Sequence, residues 1–207
     1  PYTALFRSRR TGCAQPRPGN AKLNSAQSVT ALASSEDRFV VAQPLSVAPE
    51  QAGDPSTPIT ARELADDRQP HVVRPDDPGP YVTIVLPCYN EQDHVLAEIE
   101  RITTAMDASG YSYELMAIDD KSTDNTLARL REAESTFEHL RVVGFRRNGG
   151  SGTARRIGTY DARGEIVVWT DADMTYPNER IPELVRYLDD NPGVDQVVGA
   201  RTSEQGT

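Results

Sequence analysis

Gly164-Glu165-Ile166-Val167-Val168-Trp169-Thr170-Asp171-Ala172-Asp173-Met174-Thr175-Tyr176-Pro177 is the stretch on which the reading of this chain turns. Residues 166–169 form an apolar run of strand length, and where it stops the chain delivers two carboxylates one residue apart. Open α/β sheets bind ligands outside the carboxyl ends of their strands. Two carboxylates there, with no basic residue beside them in sequence, repel each other unless a cation sits between them. A divalent metal carrying a diphosphate meets that need. The competing reading is a solvated Asp-x-Asp turn, and the surrounding sequence has to decide between the two.

Working outward, strands alternate with helices. Residues 81–86 are a β-branched run ended by Pro87, followed by Cys88-Tyr89-Asn90-Glu91 and a helical pattern over about 92–108 that Gly110 closes. Residues 113–118 predict a second strand, running into Asp119-Asp120-Lys121-Ser122-Thr123-Asp124, with Asp124 placed to cap a helix to about residue 136. Residues 140–145 predict a third strand, then Arg146-Arg147-Asn148-Gly149-Gly150-Ser151-Gly152 and a helix to about residue 162. After the opening stretch, a helix over about 178–189 accommodates Pro182 only near its first turn, and residues 194–200 predict a fifth strand.

This alternation implies an α/β fold: an open, mostly parallel, Rossmann-like sheet with right-handed crossovers and helices on both faces. The polar clusters fall at strand ends: Asn90 and Glu91 after the first strand, Asp119 and Asp120 after the second, Asp171 and Asp173 after the fourth. With strand order 3-2-1-4, the chain reverses direction between strands one and four, and the crevice there receives Glu91 and Asp171 from either side.

Residues 1–79 read differently. They hold ten of the fifteen prolines and little sustained periodicity, so they are expected to be a disordered tail. Phe39-Val40-Val41 is a strand-like signal too short to count alone. The opening Pro1-Tyr2-Thr3-Ala4-Leu5-Phe6-Arg7-Ser8 resembles, at all but one position, the translation of a common sequencing-library adapter, and is expected to be an artefact of gene assembly without chemistry of its own.

Composition narrows the function classes. The 207-residue chain is 37% hydrophobic, low for a chain folded throughout, and its formal net charge of -9 argues against a general nucleic-acid binder, which needs excess Lys and Arg. No apolar run approaches the ~18 residues of a membrane span. Cys13 and Cys88 lie far apart, so neither a disulfide framework nor a metal cluster is indicated, and a reducing compartment fits.

A dinucleotide-binding dehydrogenase needs its Gly-rich turn directly after the first strand, where the backbone approaches a pyrophosphate. Here that turn is Pro87-Cys88-Tyr89-Asn90-Glu91, and the Gly149-Gly150-Ser151-Gly152 loop follows the third strand instead. A sugar nucleotidyltransferase also places its Gly-rich loop after the first strand and stays a weaker alternative. An aspartyl phosphatase carries Asp-x-Asp on its first strand.

Five motifs in order resemble family 2 glycosyltransferases of the GT-A fold: Pro87 to Glu91, then Ile118 to Asp124, Asn148 to Gly158, Asp171-Ala172-Asp173, and Val197-Val198-Gly199-Ala200-Arg201. The resemblance covers about residues 80–207 and is greatest to the dolichol-phosphate mannose synthase-like, polyprenyl-phosphate group. It implies transfer of a sugar from a nucleoside diphosphate sugar to an acceptor such as a polyprenyl phosphate or another glycan acceptor, with inversion at the anomeric carbon. Mg²⁺ or Mn²⁺ is the implied cofactor. It further implies a cytoplasmic enzyme, peripheral at or anchored to a membrane surface in the full-length protein.

By position, the resemblance assigns Pro87, Tyr89 and Glu91 to the nucleoside pocket, with Asp119 on the base or ribose and Arg156 holding the nucleotide. Asp171 and Asp173 match the metal and diphosphate motif and so the catalytic position, and Arg201 is placed to meet an acceptor phosphate. Two departures stand out. Met174 and Thr175 replace a Leu and a metal-binding Gln, so water would complete the metal shell; Ser151 stands where many relatives carry Lys.

Several side chains also have plainer readings. Asp120 caps a turn as readily as it contacts a ligand; Arg155 reads as a solvated helix residue; His94 and His139 read as surface residues without partners at ligand spacing. Cys88 is expected to be small and buried, and Trp169 to belong to the core. The GT-A order places an antiparallel strand from beyond Thr207 between strands four and five. The expectation is therefore a sheet truncated on that side, with backbone groups of Val167 and Val198 unpaired. A nucleotide-sugar-binding fragment without turnover is the corresponding alternative for function.

Overall fold

The computed structural model describes residues 3–8, 31–32, 38–40 and 79–199. Its strands, in chain order, are β1 (Ala4–Arg7), β2 (Ala31–Leu32), β3 (Arg38–Val40), β4 (Val82–Cys88), β5 (Tyr113–Asp119), β6 (Leu140–Gly144), β7 (Ile166–Trp169) and β8 (Gln196–Gly199). Among the described residues the connecting α-helices are α1 (Val95–Ser109), α2 (Thr126–Glu134), α3 (Ser151–Asp161) and α4 (Ile181–Asp190), the last preceded by a 3₁₀ turn at Asn178–Arg180. The sheet order is β6-β5-β4-β7-β1-β8-β3-β2. Within it β6-β5-β4-β7 is the predicted 3-2-1-4 block, parallel throughout.

Strand parity builds a core on each face. Ile84, Leu86, Leu115, Ala117 and Val168 pack against Val95, Ile99, Ile102 and Met106 of α1, Leu130 of α2 and Val185 and Leu188 of α4. Val85, Met116, Ile118, Val143 and Val167 face the other way, against Ala154 and Ile157 of α3. Strands buried on both faces explain the unbroken apolar runs. Gly110 sits at φ 78° and ends α1, as its position predicts.

β4 runs one residue past Pro87, which contradicts the expected stop there. Proline is tolerated because it lacks only a donor, and the side it faces is open. The Val85 carbonyl accepts from Thr170 on the β7 side and the Cys88 carbonyl from Asp120 on the β5 side, so the alternate residue Pro87 faces β7. The ladder with β7 ends at the Val85–Trp169 pair, so Pro87 forfeits no ladder bond.

The largest correction concerns the N-terminus. Ala4–Arg7 is not disordered: it is an antiparallel strand inserted between β7 and β8, with Leu5 opposite Val168 on one side and Val197 on the other. It occupies the gap in which backbone groups of Val167 and Val198 were expected to be unpaired. Leu5 is fully buried, Phe6 meets Trp169 edge-on with ring centroids 4.9 Å apart, and the Arg7 guanidinium donates to the Leu188 carbonyl at the end of α4 at 2.8 Å. Main-chain bonds from Arg7 to Asp195, Ser8 to Glu165 and Gly199 to Thr3 extend the pairing. A slot between two strands is filled by backbone hydrogen bonds that any extended segment can make, and four residues show too little periodicity to be found in sequence.

Residues 31–32 and 38–40 are also strands, the second pairing with β8. The rest of the expected disordered tail lies outside the described residues, as does Arg201. No helix among the described residues is long and apolar enough to cross a membrane.

Candidate active site

The carboxyl ends of β4, β5 and β7 open on one side of the sheet, and a cavity of about 170 Å³ lies there. Pro87, Cys88, Tyr89, Glu91, Asp120, Ser151, Asp171, Ala172 and Asp173 line it. Pro87, Tyr89, Glu91, Asp120, Asp171 and Asp173 were all predicted from sequence, and they converge from three separate strand ends. Four of the lining residues are carboxylates.

The loops that carry these residues are cross-tied. Asn90, at φ 57°, accepts from the Thr123 amide at 2.8 Å through its side chain while its own amide donates to Ser122 at 3.0 Å. The Glu91 amide donates to Thr126 at 2.8 Å, and Thr126 in turn caps itself on Asp124. Asp124 accepts from the first helical amide at 2.9 Å, but the N-cap of α2 is Asn125, one residue later than expected. Asn90, Lys121 and Met174 are the non-glycine residues of positive φ among those described, one in each strand-end loop around the cavity. Such conformations cost of order 1–3 kcal/mol each and persist where surrounding bonds over-determine them.

Asp120 is 2% exposed, and its two oxygens accept from the amides of Gly149 and Gly150 at 2.7 Å each. Of its two anticipated roles it takes a form of the first, but what it caps is the glycine loop from β6, not the helix after it. Burial raises its carboxyl above the ordinary range, with Asp119 adding to the effect and the two amides opposing it. Gly150, at φ 80°, lets the chain turn so that both amides point at Asp120 before α3 begins.

Asp119 is 1% exposed and lies behind the cavity wall. One of its oxygens accepts from Ser122 at 3.2 Å, and the other, Oδ1, is buried without a hydrogen-bond partner. A buried carboxylate oxygen in that state is costly unless a ligand or water donates to it. The Cys88 thiol is fully buried and pushed up by burial and then by Asp119, Glu91 and Asp171, which is the inert side chain expected.

The two arginines of α3 differ in setting. Arg156 is exposed and is absent from the cavity lining. Arg155, read as solvated, instead places its guanidinium 2.6 Å from Asp171 Oδ1, with only about a quarter of either side chain exposed. On a helix one residue turns the side chain by about 100°, so the Arg-Arg pair is ambiguous until α3 is seated on the sheet. His94 is likewise not partnerless: its ring lies 3.1 Å from Glu91. His139 is exposed and packs on Tyr113 at a centroid distance of 4.6 Å. Trp169 is half-buried, its indole donating to Thr159 at 2.9 Å.

Asp171 and Asp173 differ in setting. Asp171 meets Arg155 and lies near the Tyr176 phenol, whose pKa is raised first by burial and then by that carboxylate. Asp173 turns back on its own loop, accepting from the Thr175 amide at 3.0 Å and from its hydroxyl at 2.6 Å. Thr175 therefore orients Asp173, where the sequence suggested a weak ligand.

A divalent cation fits this donor set in one specific way. No group of three or more His, Cys, Asp or Glu residues able to hold a metal occurs among the described residues. Asp171 and Asp173 supply hard oxygen donors, and a diphosphate and water would complete the shell, the mode Mg²⁺ prefers and Mn²⁺ accepts.

The sequence model of glycosyl transferase family 2 matches residues 83–207, more than half of the chain. The chain belongs to that family. Among solved structures, it is similar to the mannosyltransferase PcManGT from Pyrobaculum calidifontis, described in complex with GDP-Man and Mn²⁺. There the identity is 29% over 60% of this chain and 37% of that one, with a TM-score of 0.47. It is also similar to S. aureus TarS 1-349, at 23% identity over 53% of this chain and 32% of that one, with a TM-score of 0.43. The chain thus spans about a third of each of these structures.

For this family 2 chain the sequence reading missed Arg155, Glu98 and Asn178. Glu98 carried a signal: it shares the buried stripe of α1 with Val95, Ile99, Ile102 and Met106, where a carboxylate needs an explanation.

Proposed function

We propose that this domain binds the donor of a metal-dependent sugar transfer, a nucleoside diphosphate sugar, in the cavity at the ends of β4, β5 and β7, and that the acceptor is a polyprenyl phosphate of the dolichyl type. Membership of family 2 supports the reaction class. The observation that carries the reading is the convergence of Tyr89, Glu91, Asp120, Asp171 and Asp173 on one cavity at the point where the strand order reverses.

Each residue then has a task. Pro87 and the half-exposed Tyr89 flank the nucleoside, and Asp119, which the family resemblance assigns to base or ribose, lies behind them with Oδ1 unpartnered, to be reached only if the wall shifts on binding. Asp171 and Asp173 would hold the metal, which when bound offsets negative charge on the departing diphosphate. With four carboxylates around the cavity, a diphosphate enters only with a cation. Arg155 brings a cationic side chain to the cavity edge through its ion pair with Asp171. A phosphate acceptor is already ionised near neutral pH, so no general base is required of these residues. The dolichol-phosphate mannose synthase-like motif order supports that acceptor, as does Arg201 as its phosphate contact.

Calorimetry with UDP and GDP, with and without Mn²⁺, tests the reading. One diphosphate should bind about tenfold or more tightly with Mn²⁺, and Asp173→Asn should abolish that increment. Diphosphate binding indifferent to metal in the parent, or an undiminished increment in Asp173→Asn, would refute it.

A further inference from the structure

We propose that Glu98, Arg101 and Asn178 form a positioning clamp that sets the geometry of the loop bearing Asp171 and Asp173. The inference rests on the donor-site reading above and adds to it residues that lie outside the cavity, on α1 and at the start of the 3₁₀ turn.

The loop leaves the sheet at Thr170 and enters the 3₁₀ turn at Asn178, and both of these residues are buried. Asn178 joins the two ends: its Oδ1 accepts from the Thr170 hydroxyl at 2.5 Å, and its Nδ2 leans toward the Asp171 carbonyl at 3.4 Å. The same Nδ2 donates to Glu98 at 2.7 Å. Glu98 is a fully buried carboxylate, which is sustainable only with strong partners, and its second one is Arg101, at 2.9 Å. The Arg101 guanidinium also donates to the Tyr176 carbonyl and lies 3.6 Å from Glu179. One helix therefore grips the loop at its exit, through Tyr176 and Asn178, and by way of Asn178 at its entry.

Met174 sits at φ 60°, a conformation unfavourable for a side chain of its size, between Asp173 and Thr175. Burial of Ala172 and Tyr176 also restrains the loop, whereas the Arg155–Asp171 pair and the Asp173–Thr175 turn lie at the cavity, where an entering ligand meets them. The Glu98 network comes from the helix on the opposite face of the sheet from α3, and Glu98 and Asn178 at its centre are buried. A carboxylate pair that must meet a metal within a few tenths of an ångström needs such a support, because an error of orientation falls directly on the metal–oxygen distances.

Glu98→Gln keeps the side chain's size and removes its charge; Arg101→Lys keeps the charge but cannot reach Glu98 and the Tyr176 carbonyl together. Each is compared with the parent for binding of UDP and GDP with and without Mn²⁺, with UMP and GMP as controls, and for amide exchange over residues 171–176. The expected result is a loss of about tenfold or more in Mn²⁺-dependent diphosphate binding, monophosphate binding within about twofold of the parent, and faster exchange confined to the loop. A parent without Mn²⁺-dependent diphosphate binding would sink the donor reading itself. A parent with it, and variants that retain both the Mn²⁺ increment and slow loop exchange, would overturn the clamp alone. If Glu98→Gln does not fold, Arg101→Lys decides by the same criteria, and loss of fold in both overturns the proposal by making the network a determinant of the whole fold.

Discussion

Replacing Leu5 by alanine tests whether the N-terminal strand is part of the folded unit. Leu5 is fully buried among Val168, Val197 and the other residues of the α1 face, so truncation removes its transfer free energy and leaves a void between β7 and β8. Buried Leu→Ala changes cost about 2–5 kcal/mol. For a folded region of this size each kcal/mol lowers Tm by roughly 3–5 °C, so a fall of about 10 °C is expected. The chain has a single tryptophan, Trp169, and Phe6 packs against its ring, so its emission reports directly on docking of β1. Thermal melts followed together by Trp169 fluorescence and far-ultraviolet dichroism should show both the lower Tm and a red-shifted native emission. Deleting residues 1–8 should do more: the Val168 and Val197 edges lose their partner, and aggregation follows. A Leu5→Ala protein within about 0.5 kcal/mol of the parent, with unchanged emission, would refute the insertion of β1 and restore the view of this segment as a dispensable tail.

Two further outcomes follow from packing and charge. A Cβ at Gly158 would lie 2.4 Å from Val85 Cγ1 and 3.0 Å from Ile118 Cδ1, so Gly158→Ala must lift α3 from the sheet. Overpacking at about 1–3 kcal/mol outweighs the helix-propensity gain of about 1 kcal/mol, and the variant should lose roughly 1–2 kcal/mol in denaturant melts; a stabilised variant would count against this seating of α3. Burial alone would raise Glu114, but the hydrogen bond from Arg163, the Arg141 charge and Thr83 outweigh it and hold its carboxyl below the ordinary 4.5. Its contribution is therefore fully present above pH 4.5 and is lost as pH falls through the depressed folded-state value. Glu114→Gln should lower stability at neutral pH by about 3–5 kcal/mol, because Arg163 at 2.5 Å and Arg141 at 3.4 Å are left with a neutral partner, and should flatten the acid limb of stability against pH. An unchanged acid limb would refute the assignment.

What the amino-acid sequence determined by itself is local and periodic. Continuous apolar runs of strand length, amphipathic helices between them and Gly110 at a helix end specify the β4-to-β8 succession, and right-handed crossovers then restrict the topology to the observed 3-2-1-4 block. Because loops at the carboxyl ends of neighbouring parallel strands open on one side of the sheet, Glu91, Asp120, Asp171 and Asp173 were legible from the sequence as neighbours. Whatever depended on which surfaces meet was not legible. β1 is held by main-chain bonds that carry no sequence signature, so only the vacant slot between β7 and β8 identified it. Arg155 and Arg156 are equivalent in type and adjacent in sequence, and only the seating of α3 at Gly158 turned one to Asp171. Glu98 and Asn178 are distant in the chain and meet at 2.7 Å because α1 crosses behind the loop, a contact between elements that no local pattern encodes.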